Sequence, residues 1–581
     1  MKKIMKLMTV LVAGLILQCC TTDDPLSDNG MGTWTDNMQA GMQGSGTVTA
    51  GTGELLTFNV AIDKTTAEPA TTAEAYYPEE EDNIANNSFT TEVTIIYDGN
   101  NVSYAGIEGV TVTADGAHVT VDHGSAKNIC YVVSGMTDNG SLTIIGDKKY
   151  EVKLSGVVIT NPDSTALNLL SKKRAFVVLS GSNRLADGTS SKAEDQKGAL
   201  YCKGKLLVSG NGSLEVYGNY NNAIHSADYI VFGQGVNVYA KSTANHGIKA
   251  NDGIFINGGI LNVEVTAAAA KGINSESNIV VNGGRTTVIT TGNGTYDSDD
   301  RETKAAAGIA CDSTYTQNGG EVFLKSTGSG GKGLKTDYEA YISGGKLHIL
   351  TTGGVYSSNG DTSSPKGIKI GTKNVHGLLN ISGGNIMVRT EGQKGEGIES
   401  KGSLTISDGT VMVSAYDDAI NSAGDMYLMG GTIVAVGCNN DGIDANGNMY
   451  IQGGNIVALG AGGAESGIDT GEQSRLNITG GQVFGIGGRI DASLGTASQA
   501  IISTTGSVLA NATVTVGDGS TALATFTMPP YSTSGTALIS APGMTSGKTY
   551  TLNWGSQSTS ATATSSLSSS MGGGMMPGGR R

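Results

Sequence analysis

Short runs of alternating apolar and polar residues, bounded by glycines, recur along most of this chain. Leu404-Thr405-Ile406 precedes Asp408-Gly409, and Val411-Met412-Val413 follows it. Ile451 precedes Gly453-Gly454, and Ile456-Val457-Ala458 follows. Alternation over so few residues predicts short strands joined by tight turns. No stretch of residues 195–490 carries the 3.6-residue apolar period of a helix. The Gly-Gly pairs fall at 258-259, 283-284, 319-320, 344-345, 383-384, 430-431, 453-454 and 480-481, with Asp408-Gly409 filling one gap. The steps between them are 25, 36, 25, 39, 25, 22, 23 and 27 residues. The two longest contain polar insertions, at 292–305 and 353–365, which read as loops added to a shorter repeat.

A second landmark keeps the same period. It is Gly or Ala followed by Ile or Leu, as in Ala223-Ile224, Gly247-Ile248, Gly272-Ile273, Gly333-Leu334, Gly397-Ile398, Gly442-Ile443 and Gly467-Ile468. A strand-and-turn unit of this length predicts an all-β parallel β-helix, a solenoid in which each coil buries its inward side chains against its neighbours. About a dozen coils at roughly 4.8 Å spacing give a length on the order of 55–60 Å. Two residues after each landmark Ile comes a small residue, including Cys202, Ser226, Ala250, Cys311, Ser400 and Ala445. Period 2 points these inward, so the cysteines are expected as buried free thiols. Cys202 and Cys311 stand four coils apart, too far to bridge.

Stacked coils turn equivalent positions into columns. The residues just before the landmarks include His246, Lys271, Lys332, Lys366, Glu396, Asp418 and Asp441. Those just after include Lys249, Lys335, Lys369, Glu399, Asp444 and Asp469. The first half is basic and the second acidic. Like charges one coil apart repel by on the order of 1 kcal/mol in water. Hard carboxylate oxygens at that spacing suit Ca²⁺, so Glu396, Glu399, Asp417, Asp418, Asp441, Asp444, Glu465 and Asp469 are candidate ligands. The alternative is a solvated acidic face. Lys271, Lys332, Lys335, Lys366 and Lys369, with His246, form a candidate strip for a uronic acid polymer; the alternative is a row of lysines that guards against edge aggregation. Tyr427 and Tyr450, on adjacent coils and outward by parity, are candidates for stacking on sugar; a stabilising aromatic ladder is the alternative.

Composition narrows the partners. The chain has 88 glycines but only 9 prolines and no Gly-X-Y period, which excludes collagen. A net charge of −15 argues against nucleic acid. Lys2, Lys3 and Lys6 precede an apolar stretch too short to span a membrane as a helix, and Leu17-Gln18-Cys19-Cys20 resembles a bacterial lipobox. We therefore expect a lipoprotein signal peptide over 1–19, lipidation of Cys20 and an outer-membrane protein exposed at the cell surface. Residues 20–89 read as a polar tether and N-terminal strands with an acidic loop at Glu79-Glu80-Glu81-Asp82. The solenoid is expected over 90–499 with N-terminal cap strands, a small C-terminal β cap over 500–555, and a disordered Ser/Gly/Met-rich tail over 556–581.

The runs NICYVVSGMTDNGSLTI, VKLSGVVITNPDSTALNL, VVLSGSNRLADG and GALYCKGKLLVSGNGSLEVYG, with the two landmarks and ALISAPGMTSGKTYTLNWG, resemble the carbohydrate-binding, pectate-lyase-like β-helix family of cellulose- and polygalacturonate-binding surface proteins. The resemblance spans about residues 90–555. It implies a right-handed parallel β-helix, polysaccharide binding, and calcium in the turns Asp417-Asp418-Ala419-Ile420 and Asn440-Asp441-Gly442-Ile443-Asp444. Earlier coils carry lysine or histidine in the equivalent place, a departure from that pattern. The expected function is polysaccharide capture without cleavage, by a monomer that carries calcium. One alternative is a calcium-dependent lyase using Lys366 or Lys369 beside Glu396 and Glu399. Another is a structural adhesin.

Overall fold

The computed structural model describes residues 58–70, 73–191, 196–519, 521–555 and 557–566, with the backbone of Thr49–Ala50. The leader, Cys20 and the last residues of the tail lie outside the described residues. Among the described residues the chain is all-β; its helices are the two single 3-10 turns Glu80–Asp82 and Ile84–Asn86. No helix there is long and apolar enough to cross a membrane.

Most strands pair in parallel with the equivalent strand of the next repeat. Glu396–Ser400 holds the Gly-Ile landmark, and Ser403–Ala415 continues through Asp408-Gly409. In the next repeat Ile398 pairs with Ile420, Leu404 with Met426, and Val411 with Ile433. Each repeat thus adds a strand to three parallel ladders. The Gly-Ile ladder is a 16-stranded sheet, and the other two are joined in a second, 30-stranded one.

The glycines explain why the period is so visible. The second residue of every Gly-Gly pair, and Gly409, has φ between 69° and 94°. That left-handed turn favours glycine, since it costs other L-residues steric strain. The landmark glycines answer a different demand. A Cβ on Gly272, Gly367 or Gly397 would sit about 2 Å from a Val methyl of a neighbouring ladder. Beside them, the landmark residues Ile248, Ile273, Ile309, Leu334, Ile368, Ile398 and Ile443 are fully buried. Each such side chain stabilises the stack by roughly 1.5–3 kcal/mol. Cys130, Cys202, Cys311 and Cys438 are buried free thiols.

Both ends abandon parallel pairing. Thr91–Asp98 folds back antiparallel on Asn101–Ala105, and Ala117–Asp122 on Thr111–Asp115. At the far end Tyr531–Ser540 runs antiparallel to Gln482–Gly487 and Ile501–Val508. A four-stranded antiparallel sheet of Thr513–Asp518, Thr521–Thr527, Thr549–Trp554 and Ser558–Thr562 caps this end, sharing with the last coils a second core that includes Phe484, Phe526, Tyr531 and Trp554. Its last strand, Ser558–Thr562, carries the cap past residue 555 into what the composition assigns to a disordered tail.

The two long repeat steps form hairpins, Thr295–Asp297 with Glu302–Lys304 and Tyr356–Ser358 with Asp361–Ser363. They touch through Thr303 N–H, which donates to Asp361 Oδ2 at 2.7 Å. Residues 58–70 and 73–89 lie as a strap across the outside of the coils. Lys325 donates to Asn59 near its start, and Phe89 packs on Phe176 near its end. The acidic run expected as a solvated loop is docked instead. Asp82, 2% exposed, accepts from Arg174 Nε at 2.7 Å and from Tyr229 Oη at 2.6 Å. Arg174 also pairs with Glu79 and Glu81.

Candidate functional site

The charged columns follow strand register along the Gly-Ile ladder. Lys332 pairs with Lys366 and Lys366 with Glu396; Lys335 pairs with Lys369 and Lys369 with Glu399. Glu399 is followed by Asn421, Asp444 and Asp469. A change of charge occurs between two adjacent strands, Lys366–Ile370 and Glu396–Ser400.

The basic half is not an open strip. Lys332 is 6% exposed, and its ammonium donates to Gly330 O at 2.8 Å, to Ser363 Oγ at 2.9 Å and to Ser364 O. Lys271 donates to Ala269 O at 2.6 Å and to Ala305 O. Ala305, Ser363 and Ser364 belong to the inserted loops, so these loops roof the lysines. Burial, with neighbouring lysines adding to it, lowers Lys332 well below its ordinary value and brings Lys271 to about 7. His246 Nδ1 accepts from Lys271 N–H at 2.9 Å, and burial beside Lys271 takes the imidazole down to about 3. Lys335 pairs with Asp337 at 2.9 Å.

The junction is a buried ion cluster. Lys366 Nζ lies 2.5 Å from Glu396 Oε1 and 3.6 Å from Glu399 Oε1. Glu399 also meets Lys401 at 2.5 Å and Lys369 at 3.8 Å. Burial works against both charge signs here, and the pairing decides the outcome. The three lysines outweigh burial and hold Glu399 low, while the two glutamates outweigh it and hold Lys366 high. Burial and the Glu399 charge raise Glu396 to about 7, and its Oε2 is buried with no hydrogen-bond partner. A lysine locked in its charged form is a poor base for proton abstraction.

The acidic half has no such compensation. Asp418 accepts from Asp441 N–H at 3.0 Å and from Asn421 Nδ2 at 2.9 Å. Asp441 accepts from Ser466 N–H at 2.5 Å, and Asp469 from Thr470 N–H at 2.8 Å. All of these donors are neutral amides. Asp417 accepts from Asn440 Nδ2 at 2.9 Å. Among the described residues no lysine or arginine forms an ion pair with Asp418, Asp441 or Asp444. Burial and mutual repulsion push Asp418 and Asp441 well up; burial takes Asp444 to about 6, and burial with Asp444 takes Asp469 to about 8. Glu465 is raised by burial as well. Among the described residues no three His, Cys, Asp or Glu side chains converge as a metal site. The donors that would suit a hard cation come two to a coil, Asp417 with Asp418, Asp441 with Asp444 and Glu465 with Asp469, and no lysine lies among them.

Tyr427 and Tyr450 lie on another ladder, with ring centroids 5.0 Å apart and planes 7° from parallel. The rings therefore stack on each other along the column. That geometry is an aromatic ladder, and it hides one face of each ring from a sugar.

The matches to known proteins fall on these coils. Residues 108–267 and 327–438 match the family model of carbohydrate-binding domain-containing proteins. A carbohydrate-binding domain-containing protein of Acetivibrio thermocellus is 29% identical over 143 residues, which span 23% of this chain and 48% of that relative. A solved structure of a polysaccharide lyase-like protein from C. thermocellum, a gadolinium derivative, aligns over 52% of this chain and 95% of its own, at 18% identity and a TM-score of 0.30. The second matched segment contains Lys332, Lys366, Glu396, Glu399 and Asp418; Asp441, Asp444, Tyr450, Glu465 and Asp469 lie beyond it.

Proposed function

We propose that this protein captures polysaccharide at the surface of the outer membrane without cleaving it, anchored through lipidated Cys20 and acting as a monomer. The observation that carries the reading is the carbohydrate-binding match across the coils, in two segments that flank the hairpin at 295–304. The three parallel ladders support a right-handed parallel β-helix as the scaffold.

Calcium belongs to this reading. Carboxylates on neighbouring coils, Asp418 beside Asp441 and Asp444 beside Asp469, would hold calcium ions between them. They would neutralise carboxylates that otherwise raise one another's pKa. The lysines have a different role here from that of an exposed anion strip. Lys271 and Lys332 hold the inserted loops, and Lys366 holds the junction. Of the two lysines a lyase could use as base, Lys366 is kept charged by Glu396 and Glu399, whereas burial lowers Lys369.

Calorimetric titration of the full chain with oligogalacturonate and with cello-oligosaccharides, in calcium and then in chelator, tests the proposal. A saturable heat with either sugar is expected. Continuing heat after each injection, with ultraviolet absorbance from an unsaturated uronate, would replace capture with elimination. No heat with any glycan would remove the reading.

A further inference from the structure

Between the strap and the coils lies a cleft of about 630 Å³. This volume is in the range of small-molecule sites. The strap contributes Glu74, Tyr76 and Tyr77; the coils contribute Asn278, Asn282 and Asn318.

The walls are held rigidly. Asn257 clamps the main chain of Tyr76 from both sides, accepting from its N–H and donating to its carbonyl, each at 2.9 Å. Asn282 donates to Asn257, and Asn318 to Asn282, also at 2.9 Å. This chain of amides fixes the floor in one orientation. The Tyr76 ring packs on Phe255 with centroids 5.4 Å apart, yet the residue remains 51% exposed. The ring is therefore supported by Phe255 while the residue stays half exposed where it lines the cleft.

Glu74 is exposed, and among the described residues its carboxylate has no hydrogen bond or ion pair. No lysine or arginine lines the cleft. A half-exposed tyrosine ring, side-chain amides and a free carboxylate are the groups that bind sugar rings through C–H faces and hydroxyls. A uronate would meet the Glu74 charge with nothing to offset it.

We infer that this cleft is a neutral-sugar subsite, in which Tyr76 stacks on a hexose or pentose ring while Asn278, Asn318 and Glu74 take its hydroxyls. It lies on a different ladder from the charged columns and needs no cation. The inference rests on the carbohydrate-binding reading.

The test uses the full chain in chelator, with cellohexaose, xylohexaose, mannohexaose and oligogalacturonate as probes. Binding of a neutral hexasaccharide is expected. Tyr76→Ala should weaken it about tenfold or more, as for the loss of an aromatic contact of about 1.4 kcal/mol. Asn278→Ala should weaken it too, with unchanged melting, while Tyr76→Ala also loses its packing on Phe255 and should lower melting slightly. Hydrogen exchange on the unmodified chain is a second measure, in which the sugar should protect residues 73–77. Neutral-sugar binding with full affinity in both variants, and no protection of 73–77, would overturn the cleft and leave polysaccharide capture standing. Binding of oligogalacturonate alone would overturn the neutral-sugar assignment in the same way. Binding of no glycan, here or in calcium, would overturn both.

Discussion

Lys332 and Asp441 stand on the same ladder, four strands apart, and are buried to nearly the same degree, 6% and 8% exposed. Their surroundings differ in kind. The lysine has a long stem, and its ammonium reaches the oxygens of residues 330, 363 and 364. The aspartate has one methylene and accepts a single amide hydrogen bond, from Ser466. Backbone carbonyls are plentiful at the base of an inserted loop, so a buried ammonium can be satisfied within the chain. A row of buried carboxylates exhausts the nearby N–H donors, and without a counter-charge its ionised form is disfavoured. The basic half is thus satisfied within the chain, whereas the acidic half is left with carboxylates raised by burial and by one another, which on our proposal an added cation would neutralise.

The junction between the halves should give the largest effect. Lys366→Met leaves Glu396 and Glu399 buried without their shared ammonium, and a loss of roughly 3–5 kcal/mol is expected. Denaturant unfolding measures it, and a loss below about 1 kcal/mol would mean that water reaches the cluster.

Removal of metal comes next. At pH 8, calcium at about a hundred times its dissociation constant should stabilise the protein by about 2.7 kcal/mol over chelator. Asp441→Asn should raise the melting temperature in chelator, because it removes a repelling charge, and should reduce the calcium increment. Identical melting with and without chelator in the unmodified protein would break the contrast between the halves.

A pH series in chelator sharpens the contrast. Asp444 at about 6 and Asp469 at about 8 sit above the ordinary carboxylate value. Their protonated forms favour the fold, so stability around Ile443–Ala445 and Ser466–Thr470 should fall as pH rises from about 4 to 8. Lys271 at about 7 sits below the ordinary lysine value. Its unfolded state binds the extra proton between about 7 and 10.5, so stability around Lys271–Ser275 should rise across that window. Hydrogen exchange resolved by peptide reads the two trends separately, and parallel trends would sink the argument. The smallest effect is Tyr427→Ala, which removes one ring stack and should cost about 1 kcal/mol in thermal unfolding.

The repeat was legible because glycine has few substitutes. A positive φ at residues such as Gly431 and Gly454, and the lack of room for a Cβ at Gly367, write the period directly into the sequence. Column membership follows from register, so the repeat spacing alone reveals the switch from Lys366 to Glu396. What covers the columns is not encoded that way. Whether Lys332 meets water depends on how residues 353–365 fold back, and no local spacing specifies that. The planes of Tyr427 and Tyr450 are set by their rotamers, which a period of 23 residues does not specify. The docking of Glu79 and Asp82 on Arg174 joins residues more than ninety positions apart, so a run of acids read as solvated.

The strap also imposes an order in time. Asn59 leaves the ribosome early, yet its partner Lys325 lies 266 residues later. The coils can add one upon another as they are made, each resting on the last. The start of the strap cannot latch until the coil with Lys325 exists, whereas Tyr77, Ile84 and Phe89 can cover Phe176, Leu207, Val231 and Phe255 once the coil with Phe255 is made. The start of the strap is made well before its partner and latches late, and a chain arrested before the coil with Phe255 would leave Tyr77, Ile84 and Phe89 without their apolar seat, exposed to chaperones.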